Sequence, residues 1–322
     1  LSPFRQGETF AQAVDNTVAL AQHAEKLGLS RFWIAEHHNM PYLASSATSL
    51  LIQRVLDKTA HIRVGSGGVM LPNHSPFVVA EYYGTLASLY PNRVDLGLGR
   101  APGTDPETAR AIRRNHDDFA MSFPNDIKEL QFYFGDDDDS NKVRAYPAKG
   151  LRVPLYILGS STESAYLAAQ MGLPYAFASH FAPRFLTQAV QIYRNHFQPS
   201  AVLDTPKVIV GVNAFVADTD AEAEFLASTS LQFFLNIVTG QRSGMKPPAT
   251  DIAAHIPAHI VQMADSMMSC RLLGSAKTVA EQLEQLQSQV QADELMAVSY
   301  IYDVQKQHDS YELLSDIVKN FK

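Results

Sequence analysis

The sequence predicts an α/β fold, a single (β/α)8 TIM barrel over residues 1–322. Short apolar runs alternate with helical patterns along the chain, which implies parallel strands joined by helical crossovers. The length of 322 residues fits one such domain, since α/β barrels of about 250 residues or more fold as one unit. Hydrophobic residues make up 46% of the chain and charged residues 18%, a composition that fills a sizeable core.

The first half of the chain predicts three strands separated by helices. Apolar residues recur at helical spacing before the first strand, and Gly28 lies where that helix stops. The predicted elements are, in order, a helix over residues 10–24, a strand over 32–35, a helix over 48–56, a strand over 62–71, a helix over 76–89 and a strand over 93–98.

The second half repeats this pattern and adds four strands. The predicted strands cover residues 154–158, 175–178, 207–216 and 295–302. The predicted helices cover residues 164–171, 184–197, 221–236, 278–289 and 309–321. Seven strands are one short of a closed barrel, and the eighth belongs before Ser2. We therefore expect either a truncated chain or opening residues that complete the sheet.

Two segments interrupt the alternation of strands and helices. Residues 135–142 contain Asp136, Asp137, Asp138 and Asp139, which indicates a solvated loop rather than a metal site. Residues 239–270 are expected to form an insertion before the last βα unit, and long loops on barrels favour a lid. Methionine clusters more often fill a hydrophobic core than line a substrate-binding surface, so the methionines of this segment are expected in the core.

Composition and charge exclude several classes of protein. A net charge of −7 argues against binding nucleic acid or anionic membranes, which usually requires a basic face. Cys270 is the only cysteine, so an intramolecular disulfide is excluded and a reducing, cytoplasmic setting is expected. The chain shows no signal peptide and no apolar run of about 20 residues.

Polar residues and glycines follow several predicted strands, where the active site of a barrel lies. Glu36, His37 and His38 follow the strand over residues 32–35. Adjacent histidines on a strand end point in opposite directions, and the helical histidine pair of zinc proteases is absent, so a metal site is the least favoured interpretation. Two interpretations remain open: a structural histidine, and a histidine that contacts a cofactor or transfers a proton near neutral pH.

The segment Gly159, Ser160, Ser161 and Thr162 follows another predicted strand and precedes a helix. Free backbone N–H groups at a helix N-terminus, with hydroxyls beside them, form a phosphate cradle. Ordinary N-capping by serine or threonine explains the same pattern. Arg100, at a neighbouring strand end, is suited to pair with a phosphate or with a structural carboxylate.

Two adjacent glycines, Gly67 and Gly68, lie inside a predicted strand. Glycine weakens strand interiors, so the pair indicates either a β-bulge or a flat group lying against the backbone. Residues 97–103 are also rich in glycine, but Pro102 occupies the place of the third glycine of a dinucleotide-binding motif. A Rossmann site is therefore not predicted there.

Together these segments resemble the bacterial luciferase-like, flavin-dependent monooxygenases. The matching stretches run in order along the chain: residues 31–40 (RFWIAEHHNM), 63–74 (RVGSGGVMLPNH), 95–103 (DLGLGRAPG), 158–161 (LGSS) and 292–296 (ADELM). The resemblance implies a barrel that binds FMN or reduced FMN, usually as a homodimer, with His37 as the catalytic histidine. It implies a non-prolyl cis peptide at Gly67–Gly68. From the residue pattern described above, no bound metal is expected.

The resemblance also implies the cofactor site and the reaction. The expected cofactor-binding residues are Glu36, Gly67, Gly68, Arg100, Gly159, Ser160, Ser161, Thr162 and His180. Reduced FMN from a separate flavin reductase would be used with O2 to oxidise a small organic substrate, and bioluminescence is not expected. Two alternatives stay open: a dehydrogenase that uses the deazaflavin F420 on the same barrel, and a flavin-binding protein without turnover.

Overall fold

The computed structural model describes residues 1–112, 119–136 and 142–321, with the side chains of residues 119–121, 253 and 255 left aside. The chain divides into two compact units. The first comprises Leu1–Ser2 and Thr17–Leu158, and the second comprises Pro3–Asn16 and Gly159–Lys322. Helix α1 (Phe10–Lys26) contributes residues to both units. A single domain over residues 1–322 stays a prediction.

The first unit is a parallel sheet with helices between its strands. Its strands are β1 (Arg31–Ile34), β2 (Arg63–Met70), β3 (Val94–Gly99) and β4 (Leu155–Gly159, of which Gly159 belongs to the second unit). Its helices are α2 (Thr48–Leu56), α3 (Pro76–Leu89), α4 (Pro106–Ile112) and α5 (Phe119–Phe134). The strands pair in chain order, and every pairing is parallel.

The second unit is also built from parallel strands and helices. Its strands are β5 (Tyr175–Phe177), β6 (Val208–Val216), β7 (Arg271–Gly274) and β8 (Glu294–Val298). Its helices are α6 (Thr162–Met171), α7 (Leu186–His196), α8 (Asp220–Thr239), α9 (Ala258–Met267), α10 (Ala276–Val290) and α11 (Val304–Asn320). Strand β6 pairs in parallel with β5, β7 and β8.

Burial explains why β6 reads as a nearly continuous apolar run. Every residue of β3 and every residue of β6 is buried. Parallel sheets are usually covered by other elements, so their strands tend to be apolar along their length instead of alternating between polar and apolar residues. The predicted α/β class with parallel strands is confirmed.

Strand β7 was not among the seven predicted strands. It has only four residues, one of which is the glycine Gly274, and it follows the predicted insertion directly. Such a run is too short to show a period, and the prediction of seven strands was wrong on this point. The opening residues add no full strand: Arg5 forms an isolated parallel bridge with Met245.

Residues 106–112 and 119–134 are helical, although the sequence predicted no element there. Helices α2 and α3, by contrast, begin and end at their predicted residues. Pro124 lies inside α5, and proline inside a helical pattern normally argues against a helix. This explains why the pattern of α5 was missed.

The segment over residues 239–270 packs part of its length against α8. Met268 and Ala264 are buried in the same apolar cluster as Phe234, with Met267 packed at its edge, whereas Met263 is 53% exposed. For Met268 the interpretation as core is therefore confirmed.

Two further predictions concern loops and membranes. Asp136 is exposed, as expected for a solvated loop, and Asp137, Asp138 and Asp139 lie outside the described residues. Within the described parts of the chain, none of the helices combines the length and hydrophobicity that crossing a bilayer requires.

Candidate functional site

The first unit brings the segment after β1 against the loop after β3. Nδ1 of His37 lies 3.1 Å from the carbonyl oxygen of Gly103. The backbone N–H of His38 donates to the same oxygen at 3.2 Å. Gly103 has a φ of +61°, and a Cβ there would lie 3.0 Å from the carbonyl oxygen of Glu36. Only glycine fits this close approach without strain.

The hydrogen bond to Gly103 determines which ring nitrogen of His37 has a free lone pair. A carbonyl oxygen can only accept, so Nδ1 of His37 carries the proton and Nε2 of the neutral ring keeps a lone pair. Burial lowers the pKa of His37 from its ordinary value, because desolvation disfavours the charged form. At neutral pH this side chain is therefore a neutral imidazole with a basic nitrogen.

Glu36 is buried, and one of its oxygens accepts two hydrogen bonds. Its Oε1 lies 2.7 Å from Nε2 of His38 and 2.8 Å from Nε2 of His74. Burial alone would raise the pKa of Glu36, but the hydrogen bonds from the two imidazoles outweigh it and hold that pKa below the usual value. The side chain is therefore a carboxylate at neutral pH.

That Glu36 contacts the cofactor stays a prediction, and the structure shows that its side chain is almost wholly buried. Only 3% of its side chain is exposed, whereas the side chain of His74 is 31% exposed and that of His38 is 17% exposed. The sequence left His38 open as a metal-binding, structural or cofactor-contacting histidine and assigned no role to His74. The available signal was spacing: Glu36 and His38 are two apart in extended chain and so share a face, and His74 follows the next strand.

Two adjacent glycines of β2, Gly67 and Gly68, are joined by the cis peptide that the resemblance implied. The pairing with β3 also shifts in register between Ser66 and Val69, which supports the interpretation as a bulge; a flat group lying against this backbone stays a prediction. A Cβ on Gly68 would lie 2.7 Å from the carbonyl oxygen of Gly97, and a Cβ on Gly67 would lie 3.0 Å from Cβ of Trp33. These contacts within the unit account for both glycines.

A buried ion cluster anchors the opposite ends of the same strands. Asp95 is fully buried, and its carboxylate accepts from Nη1 of Arg31 at 2.6 Å and from Nε of Arg63 at 2.9 Å. Nε1 of Trp33 donates to it at 3.0 Å. Because these residues join β1, β2 and β3, the cluster holds in place the strands whose other ends carry His37 and His74.

Arg100 follows β3 directly and is exposed. Among the residues that the structure describes, it has no hydrogen bond and no ion pair. A structural ion pair of Arg100 is therefore not seen within the described chain, and its guanidinium stays available to an anion.

In the second unit, Gly159, Ser160 and Ser161 lead into α6. Ser161 is the N-cap, and its side chain accepts from the backbone N–H of Ser164 at 3.4 Å. The helix therefore begins at Thr162, two residues earlier than predicted. Ordinary capping is confirmed at Ser161, while Thr162, as the first helical residue, has an N–H without an acceptor inside the helix.

Gly159 is required by the packing of this turn. A Cβ there would lie 2.1 Å from Oγ of Ser164. That hydroxyl donates to the carbonyl oxygen of Ser161 at 2.7 Å and lies 2.9 Å from the hydroxyl of Tyr175. The turn is thus fixed by hydrogen bonds of its own.

His180, also in the second unit, lies against β6. Asn213 donates to its carbonyl oxygen at 2.5 Å, and a Cβ on Gly211 would lie 2.5 Å from its Nδ1. That Nδ1 is buried without a hydrogen-bond partner among the described residues. Burial lowers the pKa of His180 to about 3, so the ring is neutral near pH 7.

A family model and the curated relatives agree on the class of protein. The model described as luciferase-like monooxygenase matches residues 1–292. The chain is 46% identical over 321 residues to the uncharacterized protein YvbT of Bacillus subtilis (strain 168), covering 99% of this chain and 95% of that protein. It is 43% identical over 317 residues to the luciferase-like monooxygenase of Escherichia coli (strain K12), covering 98% and 95%.

A relative with a stated substrate is more distant. The N-acetyl-S-alkylcysteine monooxygenase of Bacillus subtilis (strain 168) is 31% identical over 326 residues, covering 97% of this chain and 95% of that protein. Among solved structures, apo-MsnO8 aligns with a TM-score of 0.86 at 33% identity, covering 99% of this chain and 96% of that chain.

Two other solved structures share the fold at lower identity. The oxygenating constituent of 3,6-diketocamphane monooxygenase from Pseudomonas putida, in complex with FMN, aligns with a TM-score of 0.71 at 18% identity, covering 99% of this chain and 96% of that chain. An F420-dependent secondary alcohol dehydrogenase aligns with a TM-score of 0.70 at 15% identity, covering 97% and 96%. These two structures show a shared fold. The family model and the relatives above support an oxidoreductase, and the chain belongs to the luciferase-like monooxygenase family.

Proposed function

We propose that this protein is an FMN-dependent monooxygenase that uses reduced FMN and O2 to oxygenate a small organic substrate. The family match and the relatives named as monooxygenases support the reaction class. The FMN complex of a protein with the same fold supports FMN as the flavin. The hydrogen bond between Nδ1 of His37 and the carbonyl oxygen of Gly103 is the observation that links this reaction to particular residues.

Each unit, taken by itself, offers groups that suit a phosphate. In the first unit, the guanidinium of Arg100 has no partner among the described residues, and a guanidinium binds phosphate through two parallel hydrogen bonds. In the second unit, the start of α6 offers the N–H of Thr162 and the positive end of a helix dipole, and Ser160, two residues before the helix, adds a hydroxyl. Gly159 and Ser161 keep this turn in shape, as their contacts with Ser164 show. We assign these residues to the phosphate.

The remaining predicted residues fit the ring system. Gly67 and Gly68 offer backbone without side chains inside β2, and His180 offers a neutral imidazole. Glu36 acts through the two histidines that it holds. When bound, reduced FMN supplies the electrons for the reduction of O2; the chain's own groups bind and orient it, exclude water and handle protons.

His37 is the residue that we assign to proton transfer. Its Nε2 is a lone-pair nitrogen in the neutral ring, since Nδ1 is committed to Gly103. A positioned base with a pKa near or below neutrality accepts a proton at pH 7 and can return it. The bond to Gly103 also holds the ring in one orientation, which is what acid–base catalysis requires of its base.

Replacement of His37 tests this assignment. His37→Ala is expected to lower the rate of oxygen-dependent turnover of reduced FMN by roughly 10²- to 10⁴-fold, the usual contribution of acid–base catalysis. His61→Ala, at an exposed histidine outside the site, is the matched control and is expected to leave the rate unchanged. An unchanged rate in His37→Ala would remove His37 from the mechanism.

A binding comparison separates the proposed flavin from the deazaflavin. Since a dehydrogenase on the same fold uses F420, the protein should be titrated with both coenzymes. We expect tighter binding of FMN. Tighter binding of F420, with reduction of F420 by an alcohol, would assign the protein to the dehydrogenases. Flavin binding without any oxygen consumption would indicate a carrier.

We also propose that the protein is a homodimer. Helix α3 carries exposed apolar side chains at intervals that place them on one face: Val78 is 36% exposed, Tyr82 is 54% exposed and Leu89 is 59% exposed. Exposed apolar patches of this kind mark protein–protein contacts. Tyr82→Glu is expected to convert the dimer to a monomer in sedimentation analysis.

We also propose that the strands close into the luciferase-like barrel and that residues 239–270 form a lid. We propose a separate reductase as the source of reduced FMN, because one relative of 22% identity is named as the oxygenase component of a flavin-dependent monooxygenase. The unpaired Cys270 fits a cytoplasmic enzyme.

A further inference from the structure

The first unit contains two buried carboxylates whose partners differ. Asp95 pairs with two arginines, one from β1 and one from β2. The side chain of Glu36 is 3% exposed, and it accepts instead from the imidazoles of His38 and His74. No lysine or arginine side chain in the described part of the chain pairs with Glu36. Buried charges in proteins are either paired with opposite charge or bound to metal ions, and imidazole is the commonest metal ligand.

Three atoms that can bind a metal ion converge at this point. Oε1 of Glu36 lies 2.7 Å from Nε2 of His38 and 2.8 Å from Nε2 of His74, and all three atoms lie within 4.8 Å of one another. Zinc binds such nitrogen and oxygen atoms at about 2.0–2.2 Å in a tetrahedron, which places neighbouring ligand atoms about 3.3 Å apart. An outward movement of Oε1 by about half an ångström therefore makes room for the ion.

The sequence disfavoured a metal at this segment because His37 and His38 are adjacent and point apart. These two histidines bind different partners: Nδ1 of His37 lies against the carbonyl oxygen of Gly103, and Nε2 of His38 lies against Glu36. The second imidazole at Glu36 comes from His74, 38 positions along the chain. The objection drawn from adjacent histidines therefore does not apply to the set of Glu36, His38 and His74.

The backbone of all three residues is held in place by hydrogen bonds. Their N–H groups each donate to a backbone carbonyl oxygen, at 3.4 Å for Glu36, 3.2 Å for His38 and 2.9 Å for His74. Both imidazoles are accessible, since the side chain of His38 is 17% exposed and that of His74 is 31% exposed. An ion can therefore reach ligand atoms whose backbone is already ordered, which lowers the entropic cost of binding.

We propose that Glu36, His38 and His74 bind one divalent cation of the zinc class, through Oε1 and the two Nε2 atoms. Two histidines and one glutamate are a ligand set that proteins use for Zn²⁺, with water in the fourth position. On binding, the ion takes the place of the protons through which the two Nε2 atoms contact Oε1, and each ring keeps its proton at Nδ1. The carboxylate supplies one negative charge against the two positive charges of the ion.

Glutamine substitutions remove one ligand and retain the hydrogen bond to Glu36. In His38→Gln and His74→Gln the side-chain amide can still donate an N–H to the carboxylate, but its nitrogen has no lone pair for a metal ion. His61→Gln, at an exposed histidine of the same unit outside this cluster, is the matched control. Circular dichroism without metal checks that the three variants fold like wild type.

The test is a calorimetric titration with Zn²⁺ of protein that carries no histidine tag and has been treated with a chelator. We expect wild type to bind one equivalent of Zn²⁺ with a micromolar or lower dissociation constant. His38→Gln and His74→Gln should each bind at least about 100-fold more weakly, since loss of a partner outside the ligand set already costs about 10- to 100-fold. His61→Gln should bind like wild type. Absence of this binding in wild type, or equal affinity in all four proteins, overturns the inference.

Anomalous diffraction from wild-type crystals grown with Zn²⁺ tests the ligands directly and needs no variant to fold. The ion is expected about 2.0–2.2 Å from Oε1 of Glu36 and from Nε2 of His38 and His74. A zinc ion that is bound only by other residues overturns the inference, even where calorimetry shows binding. Neither measurement uses flavin, so both results are independent of the proposed function.

Discussion

Gly103 holds His37 through its carbonyl oxygen, which lies 3.1 Å from Nδ1 of the imidazole. The proposed base therefore depends on a glycine 66 positions away along the chain. Gly103 has a φ of +61° and close neighbours on the side where a Cβ would stand. A side chain at this position would displace the carbonyl oxygen that selects the tautomer of His37.

Gly103→Ala should consequently impair turnover more than stability. Gly240→Ala is the matched control, since Gly240 also has a positive φ, +69°, but no atoms near the added Cβ. Both variants are expected to lose about 1–2 kcal/mol for the left-handed backbone. Only Gly103→Ala is expected to lower the rate of oxygen-dependent turnover, by about 10-fold or more. Equal rates in the two variants would contradict the role of Gly103.

Arg100 is expected to recognise the phosphate of FMN and not its ring. Arg100→Ala should weaken binding of reduced FMN by roughly 10- to 100-fold, the effect of losing hydrogen bonds to a charged group. Binding of reduced riboflavin, which lacks the phosphate, should not change. Parallel titrations of the two flavins measure this difference. Equal weakening for both would show that Arg100 acts on the ring or on folding.

Asp95 is expected to be essential for stability and not for flavin recognition. Asp95→Ala leaves Arg31 and Arg63 without the buried carboxylate that pairs with them. Removal of one partner from a buried ion pair costs about 3–5 kcal/mol, which denaturant unfolding followed by circular dichroism can measure. Asp265→Ala removes an exposed partner of Arg271 and should cost less than about 1 kcal/mol. Similar losses would contradict the buried cluster.

His180 is expected to make the fold sensitive to acid. Its pKa is about 3 in the folded chain and about 6.5 in the unfolded chain. Between these values the unfolded chain binds a proton that the folded chain does not, so the free energy of unfolding falls as the pH falls.

In His180→Gln this part of the pH dependence should disappear. Between pH 7 and pH 5 the free energy of unfolding of wild type should fall more steeply than that of the variant, by at most about 2 kcal/mol. The carboxylates titrate equally in both proteins, so the difference isolates His180. Identical pH dependence would show that the ring is not protected from protonation.

Sequence patterns predicted those parts of the fold that depend on local periodicity. Helix α2 has a clear apolar period, and β6 is a nine-residue run buried along its whole length. Strand β7 was not predicted because four residues are too few to show a hydrophobic period. Its position is determined by its pairing with β6.

The sequence allowed the residue types of the candidate site to be predicted, but not the hydrogen-bond partners of those residues. The resemblance pointed to His37, and strand ends pointed to Glu36 and Arg100. No sequence signal states that Oε1 of Glu36 accepts from His74, 38 positions away, because that contact depends on how β1 and β2 align in the sheet. The bond between His37 and Gly103 depends in the same way on two loops meeting in three dimensions.

The central claim is that this protein binds reduced FMN and brings it to react with O2. The most direct measurement is an anaerobic titration of the protein with reduced FMN, followed by admission of O2 and recording of absorbance and oxygen consumption. We predict saturable binding, then oxygen consumption whose time course differs from that of free reduced FMN and depends on His37. Absence of binding, or a reaction with O2 identical to that of the free flavin, would contradict the account.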